Sequence, residues 1–174
     1  MKILVLGEGG REHALVWAIA QNPKCQEIFC SPGNAGTEKI ANNANLDILK
    51  PHEIVNFCKD KSIDFVIIGP ESPLLAGVSD ALRIENILTF GPSKASSYLE
   101  ASKSFTKEIC KLGKIPTADA KIFFELEAAK TFLATSDFPI VIKADGLAAG
   151  KGVIIADSKK KAMKAVESIF NGEL

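Results

Sequence analysis

Two lysines beside a run of glycines are the residues of this sequence that most clearly could do chemistry. The stretch "PIVIKADGLAAGKGVIIA", residues 139–156, places Lys143 between two apolar runs and Lys151 inside a glycine-rich loop. An unpaired ammonium in an apolar strand costs several kcal/mol, so Lys143 requires an anionic partner. Asp145 could be that partner within the chain, and a bound phosphate could be it otherwise. An ion pair with Asp145 would leave the glycines unexplained.

The loop that follows Lys143 resembles a phosphate-covering hairpin more than a P-loop. Gly146, Gly150 and Gly152 would let main-chain amides, together with Lys151, close over a polyphosphate. The P-loop pattern G-x-x-x-x-G-K-[ST] fails, because an aspartate stands at its first glycine and a glycine follows its lysine. We expect residues 147–151 to be mobile without a ligand.

A second group of glycines follows the first apolar run, in "GEGGREHAL", residues 7–15. Glycines between a strand and a helix allow close approach of a ligand, and free N–H groups at the helix start favour an anion. Gly7 and Gly9 match the dinucleotide pattern G-x-G-x-x-G, but Glu12 stands at its third glycine, which argues against NAD. Taken alone, the segment is either a tight turn or a binding loop. Glu8 would repel a phosphate there.

Three more loops follow predicted strands: "SPGNAGT" at 31–37, "GPESPL" at 69–74 and "FGPS" at 90–93. The carboxyl ends of parallel strands meet at one edge of a sheet, where α/β proteins bind ligands. We therefore predict a site at this edge.

The elements that carry these loops alternate between strands and helices. Residues 2–6, 27–30, 64–69 and 87–91 are apolar on both faces and predict the strands of a covered, largely parallel sheet. Residues 11–21, 51–61 and 74–85 have helical patterns. The predicted fold class is α/β, with an open, mostly parallel, doubly wound sheet.

The pattern changes after about residue 93. Tandem helices are predicted at 93–99 and 102–112, followed by a helix at 125–135, the strands "PIVIKA" and "GVIIA", and a helix from Ser158. This α+β order differs from the first part, so we place a domain boundary near Ala101. The predicted domains are residues 1–101 and 102–174, the second of them incomplete.

Composition restricts the partners and the location. Lys plus Arg and Asp plus Glu both number 21, so no net charge attracts nucleic acid or an acidic membrane. No apolar run reaches membrane-spanning length, and the four cysteines lack zinc-site spacing. His13 and His52 are isolated, so we predict no metal site within the chain. We expect a cytoplasmic protein without nucleic-acid or membrane partners.

Read together, "GEGGREHAL", "PGNAG", "IIGPESPL", "FGPS", "SKSFTK", "IPTA" and "PIVIKADGLAAGKGV" resemble, in order and spacing, the phosphoribosylamine-glycine ligase family of ATP-grasp ligases. The resemblance covers the whole chain. It implies that ATP phosphorylates the carboxylate of glycine, and that the amine of 5-phosphoribosylamine then attacks to give glycinamide ribonucleotide, ADP and phosphate. Purine synthesis uses this step.

The resemblance also implies roles for individual residues. The ATP-binding residues would be Lys103, Lys143, Asp145, Gly146, Gly150, Lys151 and Gly152. The side receiving phosphoribosylamine would comprise Gly9, Gly10, Arg11, Glu12, Gly33, Asn34, Gly36 and Glu71. Without the resemblance, Lys103 would be read with Lys107 and Lys111 as one solvated helical face.

Two positions and the length depart from the family pattern. Members commonly carry a small polar residue in place of Glu8 and a glycine in place of Ala101. Full members are more than twice as long, and the ligands for Mg²⁺ or Mn²⁺, the adenine-binding hinge and a catalytic arginine are expected beyond residue 174. We therefore expect an N-terminal fragment that needs the C-terminal half for activity.

Two other functions remain open from the sequence. A nicotinamide-dependent oxidoreductase would need the third glycine and an acidic residue closing the second strand, which instead ends Phe29-Cys30-Ser31. A non-catalytic module that binds a nucleotide or sugar phosphate would need only the loops.

Overall fold

The computed structural model describes residues 1–147 and 152–173. The chain divides into two compact units, residues 1–98 and 99–174.

The first unit alternates strands and helices, as the sequence predicts. Its elements are β1 (Lys2–Gly7), α1 (Gly10–Ala20), β2 (Glu27–Pro32), a 3₁₀ helix (Thr37–Lys39), β3 (Asn42–Asn43), α2 (Pro51–Lys61), β4 (Phe65–Ile68), α3 (Glu71–Ala76), α4 (Val78–Ile84), β5 (Leu88–Phe90) and α5 (Lys94–Ala101), which continues past residue 98. The five strands lie in the order β3-β2-β1-β4-β5, and each pair of neighbours is parallel. The predicted doubly wound α/β class is confirmed.

Alternation along β1 divides the core of this unit between the two faces of the sheet. Leu4 and Leu6 pack on one face with Ile54 of α2, and Val5 packs on the other with Val16 of α1. All five side chains are fully buried. Burial of each contributes roughly 1.5–3 kcal/mol, which fixes the register of β1 and hence the position of the loop after it.

Three features of this unit differ from the prediction. The single helix expected at 74–85 is two helices, because Gly77 has φ 92° and ends α3 in the left-handed region. The short strand β3 was not predicted, since two asparagines carry no strand signal. The strand β5 is not covered on both faces: Leu88 and Phe90 are 64% and 68% exposed.

In its described residues, the second unit contains helices and an antiparallel strand pair. After α5 come α6 (Lys103–Leu112), α7 (Leu126–Ala134), β6 (Ile140–Lys143), β7 (Val153–Ala156) and α8 (Lys159–Phe170). The register pairs Ile140 with Ala156 and Lys143 with Val153. Among the described residues, no helix is long and apolar enough to cross a membrane.

One face of the β6–β7 pair is covered and the other is exposed. Ile140 and Ile142 pack with Leu133 of α7 and the helix α8. Val141 and Ile155, which alternate with those inward side chains, are 53% and 63% exposed. Lys143 lies two residues after Val141, on the same face of the strand, and is also exposed. The expectation that its ammonium is embedded among apolar residues is therefore wrong.

Candidate ligand sites in the two units

A buried glutamate organises the loop between β1 and α1. Glu12, in the first turn of α1, is 3% exposed, and its carboxylate accepts hydrogen bonds from the Gly9 N–H at 2.8 Å and from Arg11 Nε at 2.8 Å. The first bond satisfies an N–H that precedes the helix, and the second is also an ion pair. Both carboxylate oxygens therefore have partners within the protein.

The same carboxylate explains two of the glycines at the strand ends. A Cβ on Gly69, which follows β4, would lie 2.7 Å from Glu12 Cγ and Cδ and closer still to Oε1. A Cβ on Gly7, which ends β1, would lie 2.7 Å from Glu12 Cδ. Glu12 thus fills the space where a dinucleotide-binding loop would have its third glycine, and it holds neighbouring strand ends around it.

Arg11 joins this loop to the start of α3. Its NH1 lies 3.5 Å from Glu71 Oε1, while its Nε binds the buried Glu12. The hydrogen bond with Glu12 is the main reason that the pKa of Arg11 is raised above its usual value. The Arg11 side chain is 56% exposed, so a fixed positive charge lies on the surface of this edge.

Asn34 connects the "PGNAG" loop to the β1–α1 loop. Its Nδ2 donates to the Glu8 carbonyl at 2.7 Å, and its Oδ1 accepts from the N–H groups of Gly36 at 2.8 Å and Thr37 at 3.0 Å. The buried Thr37 hydroxyl continues the network to Asn43 Oδ1 at 2.8 Å. Sequence reasoning missed Thr37 and Asn43, although asparagine side chains commonly accept from the main-chain N–H two residues on, as Asn34 does from Gly36.

These contacts bring the predicted residues of the first unit together at the carboxyl edge of the sheet. Arg11, Glu12 and Glu71 form one linked group, and Asn34 attaches the loop containing Gly33 and Gly36. The N–H groups of Gly10 and Arg11, in the first turn of α1, have no acceptor within the helix and can receive an anion.

In the second unit, Asp145 binds the start of α6. Its Oδ1 accepts from the N–H groups of Lys103 at 2.6 Å and Ser104 at 3.3 Å, and its Oδ2 accepts from the hydroxyls of Ser102 at 3.1 Å and Ser104. Ser102 is also the N-cap of α6, as the sequence predicts, and accepts from the Phe105 N–H at 3.1 Å. The first turn of α6 is thereby doubly capped.

The glycine-rich loop starts and ends at fixed main-chain contacts. Gly146 has φ 104°, a left-handed conformation that favours glycine, and its carbonyl accepts from Lys103 Nζ at 2.8 Å. The Ala144 N–H donates to the Gly152 carbonyl at 2.8 Å, which closes the base of the loop. The predicted contributions of Gly150 and Lys151 lie outside the described residues, and so does the predicted mobility of residues 147–151 apart from Leu147.

The ion pair between Lys143 and Asp145, which the sequence left open as the alternative to a phosphate contact, is not found among the described residues. The carboxylate binds the first turn of α6 instead, and the Lys143 ammonium is exposed to solvent. Lys103 and Lys143 are nevertheless brought into one region, because Asp145 lies two residues after Lys143 and bonds to the Lys103 main chain.

The described residues do not offer a metal site. Within 1–147 and 152–173, no group of three or more His, Cys, Asp or Glu side chains could hold a metal ion.

Two family models together match the entire chain. The N domain of phosphoribosylglycinamide synthetase matches residues 1–100, and its ATP-grasp (A) domain matches residues 101–174. The chain belongs to the phosphoribosylglycinamide synthetase family. This membership confirms the predicted resemblance and gives no support to the nicotinamide-dependent alternative.

Individual relatives agree with the family assignment. The chain is 49% identical to phosphoribosylamine-glycine ligase of Agrobacterium fabrum over 172 residues, which is 99% of this chain and 41% of that protein. The ligase of Haemophilus influenzae is 48% identical over 174 residues, with the same two shares. The chain thus spans less than half the length of these synthetase-family relatives.

Solved structures give the same fold. The crystal structure of phosphoribosylamine-glycine ligase from Thermotoga maritima matches with a TM-score of 0.70 and 33% identity, over 99% of this chain and 38% of that one. A biotin carboxylase domain from Hydrogenobacter thermophilus matches with a TM-score of 0.73 at 19% identity, over 98% of this chain and 40% of that one, which shows a shared fold alone.

Proposed function

We propose that a longer protein containing this sequence ligates glycine to 5-phosphoribosylamine with ATP, giving glycinamide ribonucleotide, ADP and phosphate. The family match along the whole chain is the observation that carries the proposal. Relatives that are nearly half identical are named as this ligase.

The second unit would bind the triphosphate of ATP. Lys103 and Lys143 supply positive charge from two elements that Asp145 joins. The loop 146–152 would cover the phosphates with its main-chain amides, together with Lys151. The exposed face of β6 and β7 is apolar beside Lys143, as a surface for a nucleoside requires.

The first unit would receive phosphoribosylamine. The free N–H groups at the start of α1 and the Arg11 guanidinium suit its phosphate. Asn34 and Glu12 would hold these loops in place, since their polar atoms are used within the protein. Glu71 would act here by fixing the Arg11 guanidinium.

The chemistry proceeds in two transfers. A carboxylate oxygen of glycine attacks the γ-phosphorus of ATP, and the bond to ADP breaks. The amine nitrogen of phosphoribosylamine then attacks the acyl carbon, loses a proton, and phosphate leaves. The contribution of this chain to the first transfer is electrostatic, because ammonium groups and amides offset the charge on the moving phosphoryl group.

Activity would require residues that this chain does not contain. We propose that Mg²⁺ or Mn²⁺ ligands are supplied by the C-terminal half of such a protein, and that the protein is cytoplasmic. By itself, the 174-residue chain would then bind nucleotide and sugar phosphate without ligating glycine.

Calorimetric titration with a non-hydrolysable ATP analogue tests the nucleotide site. The chain should bind the analogue, and Lys143→Ala should weaken the affinity about tenfold, because a charge-assisted contact to phosphate is lost. Lys160→Ala, which removes another exposed lysine of the same unit, should leave the affinity unchanged. Equal affinities for wild type and Lys143→Ala would remove Lys143 from the site.

The ligation itself has a separate test. The 174-residue chain, given ATP, glycine, phosphoribosylamine and Mg²⁺, should form no glycinamide ribonucleotide. Product formation by the chain alone would contradict the requirement for a C-terminal half.

A further inference from the structure

We propose that Asp145 is a positioning residue that holds the start of the glycine-rich loop against the first turn of α6 and so sets the positions of Lys103 and Lys143. This inference rests on the proposed nucleotide site of the second unit. It gives Asp145 a different role from the direct ATP contact expected from the sequence.

Four of the hydrogen bonds that the Asp145 carboxylate accepts come from the start of α6. Three successive residues, Ser102, Lys103 and Ser104, give its carboxylate two N–H donors and two hydroxyl donors across 41–43 positions of sequence. The Gly146 N–H adds a fifth donor at 3.2 Å. A carboxylate with this many donors has little capacity left for a ligand.

Charge also argues against direct contact with ATP. A carboxylate facing a triphosphate would repel it, whereas the same carboxylate at a helix start is favourable because it faces unsatisfied N–H groups. The N–H groups of Lys103 and Ser104 have no acceptor within α6, and Asp145 supplies one for both.

The contact reaches both lysines of the proposed site. Lys103 donates its N–H to Asp145 and its Nζ to the carbonyl of Gly146, the next residue. Lys143 is connected to Asp145 by one residue, Ala144, which is buried and bonded to Gly152. A shift of Asp145 would therefore move the main chain at both lysines, and small displacements of binding groups cost much affinity.

The protonation state of Asp145 agrees with this geometry. Partial burial is the largest single effect and by itself raises the pKa of the carboxyl group. The hydrogen bonds from Ser104, Lys103 and Ser102 together outweigh it, so the pKa is lowered and the carboxylate stays charged at neutral pH.

The test compares Asp145→Ala with Asp157→Ala in the whole chain. Asp157 is a matched control because it directly follows β7, is exposed, and, in the part of the chain that the structure describes, its side chain bonds to Ser158 and Lys161 of its own segment. Asp145→Ala should weaken binding of the ATP analogue about tenfold, which is typical when a residue supporting a ligand-binding group is removed. Asp157→Ala should leave the affinity unchanged.

Hydrogen exchange gives a readout at the contact itself. The amides of Lys103 and Ser104 should lose protection in Asp145→Ala and keep it in Asp157→Ala, because no in-helix acceptor protects them. Unchanged protection of both amides in Asp145→Ala would overturn the proposed contact.

Coupling to Ser104 separates positioning from a direct or purely structural role. Ser104→Ala, which removes one donor and keeps the helix, should weaken binding about two- to threefold, and its effect should be non-additive with Asp145→Ala. Additive effects, or unchanged affinity in Ser104→Ala, would overturn the inference. The inference would also be overturned if Asp145→Ala lowered the thermal midpoint of unfolding without changing the affinity for the ATP analogue, or if it raised that affinity.

The two proposals fail differently. If the wild-type chain does not bind the ATP analogue, the proposed nucleotide site is wrong, and the positioning role is overturned with it. If the wild type binds and the Asp145 variants bind equally well, only the positioning role is wrong.

Discussion

Replacement of Gly69 by alanine tests whether Glu12 fills the carboxyl edge of the sheet. The new Cβ would lie 2.7 Å from Glu12 Cγ and Cδ, well inside normal contact distance. Glu12 cannot move away freely, since it is 3% exposed and both its carboxylate oxygens are bonded. Overpacking of this kind costs about 1–3 kcal/mol, and Gly69→Ala should lower the free energy of unfolding by that amount.

A double-mutant cycle turns this expectation into a sharper test. Glu12→Ala alone should cost about 1–3 kcal/mol, because the Gly9 N–H loses its acceptor and Arg11 loses a charged partner. With the Glu12 side chain removed, the added methyl group has room. The double variant should therefore be at least about 1 kcal/mol more stable than the sum of the two single effects predicts.

Urea unfolding measures the cycle, and Trp17 makes it specific to the first unit. This residue is the single tryptophan of the chain and lies in α1, so its fluorescence reports on residues 1–98. Gly10→Ala is the matched control, since a Cβ there meets nothing within 4 Å. It should be neutral or slightly stabilising. Strict additivity of Gly69→Ala and Glu12→Ala would refute the close contact.

Two further predictions concern single side chains. Asn34→Ala should lower the free energy of unfolding by about 1–3 kcal/mol, because the N–H groups of Gly36 and Thr37 lose their acceptor. Asn22→Ala, which loses one exposed hydrogen bond, should change the free energy of unfolding by less than about 0.5 kcal/mol. Urea unfolding measures both variants, and equal losses of stability would contradict the bridging role of Asn34. Asp145→Asn should make the free energy of unfolding less sensitive to acid. The pKa of Asp145 in the folded chain is lowered from its ordinary value of 3.8, so the charged carboxylate stabilises the folded chain above pH 3.8. This stabilisation is lost as the pH falls through the folded-state pKa. Urea unfolding at pH values between 2 and 6 measures the effect. A parallel loss of stability in wild type and variant would disprove the predicted role of the Asp145 carboxylate.

The sheet of the first unit could be predicted because each strand and helix shows its hydrophobic pattern within a short stretch of sequence. The runs around Leu4, Val66 and Phe29 are apolar on both faces, and helical patterns separate them, which together determine a parallel sheet. The division at Gly77 was missed because a glycine within a helical pattern does not reveal its sign of φ. The exposure of Leu88 and Phe90 was missed because an apolar pattern does not reveal whether an edge strand is covered.

The roles of the carboxylates depend on partners far away in sequence. Glu12 was predicted as a substrate residue, and nothing near it in the chain indicates that Gly69 lies against it. For Asp145, the nearby Lys143 was the obvious partner, yet the main-chain donors of α6 hold the carboxylate. Those donors lack acceptors within the helix, whereas water readily solvates an exposed ammonium.

The uncovered strand β5 affects how the isolated chain would behave in concentrated solution. Leu88 and Phe90 present adjacent apolar groups on the outermost strand of the sheet, whose outer main-chain groups can pair with another strand. The formal net charge is +0 at pH 7, so electrostatic repulsion between molecules is weak. Preparations should therefore stay monodisperse longer at a pH well above neutrality, and a lysine in place of Phe90 should have the same effect at neutral pH.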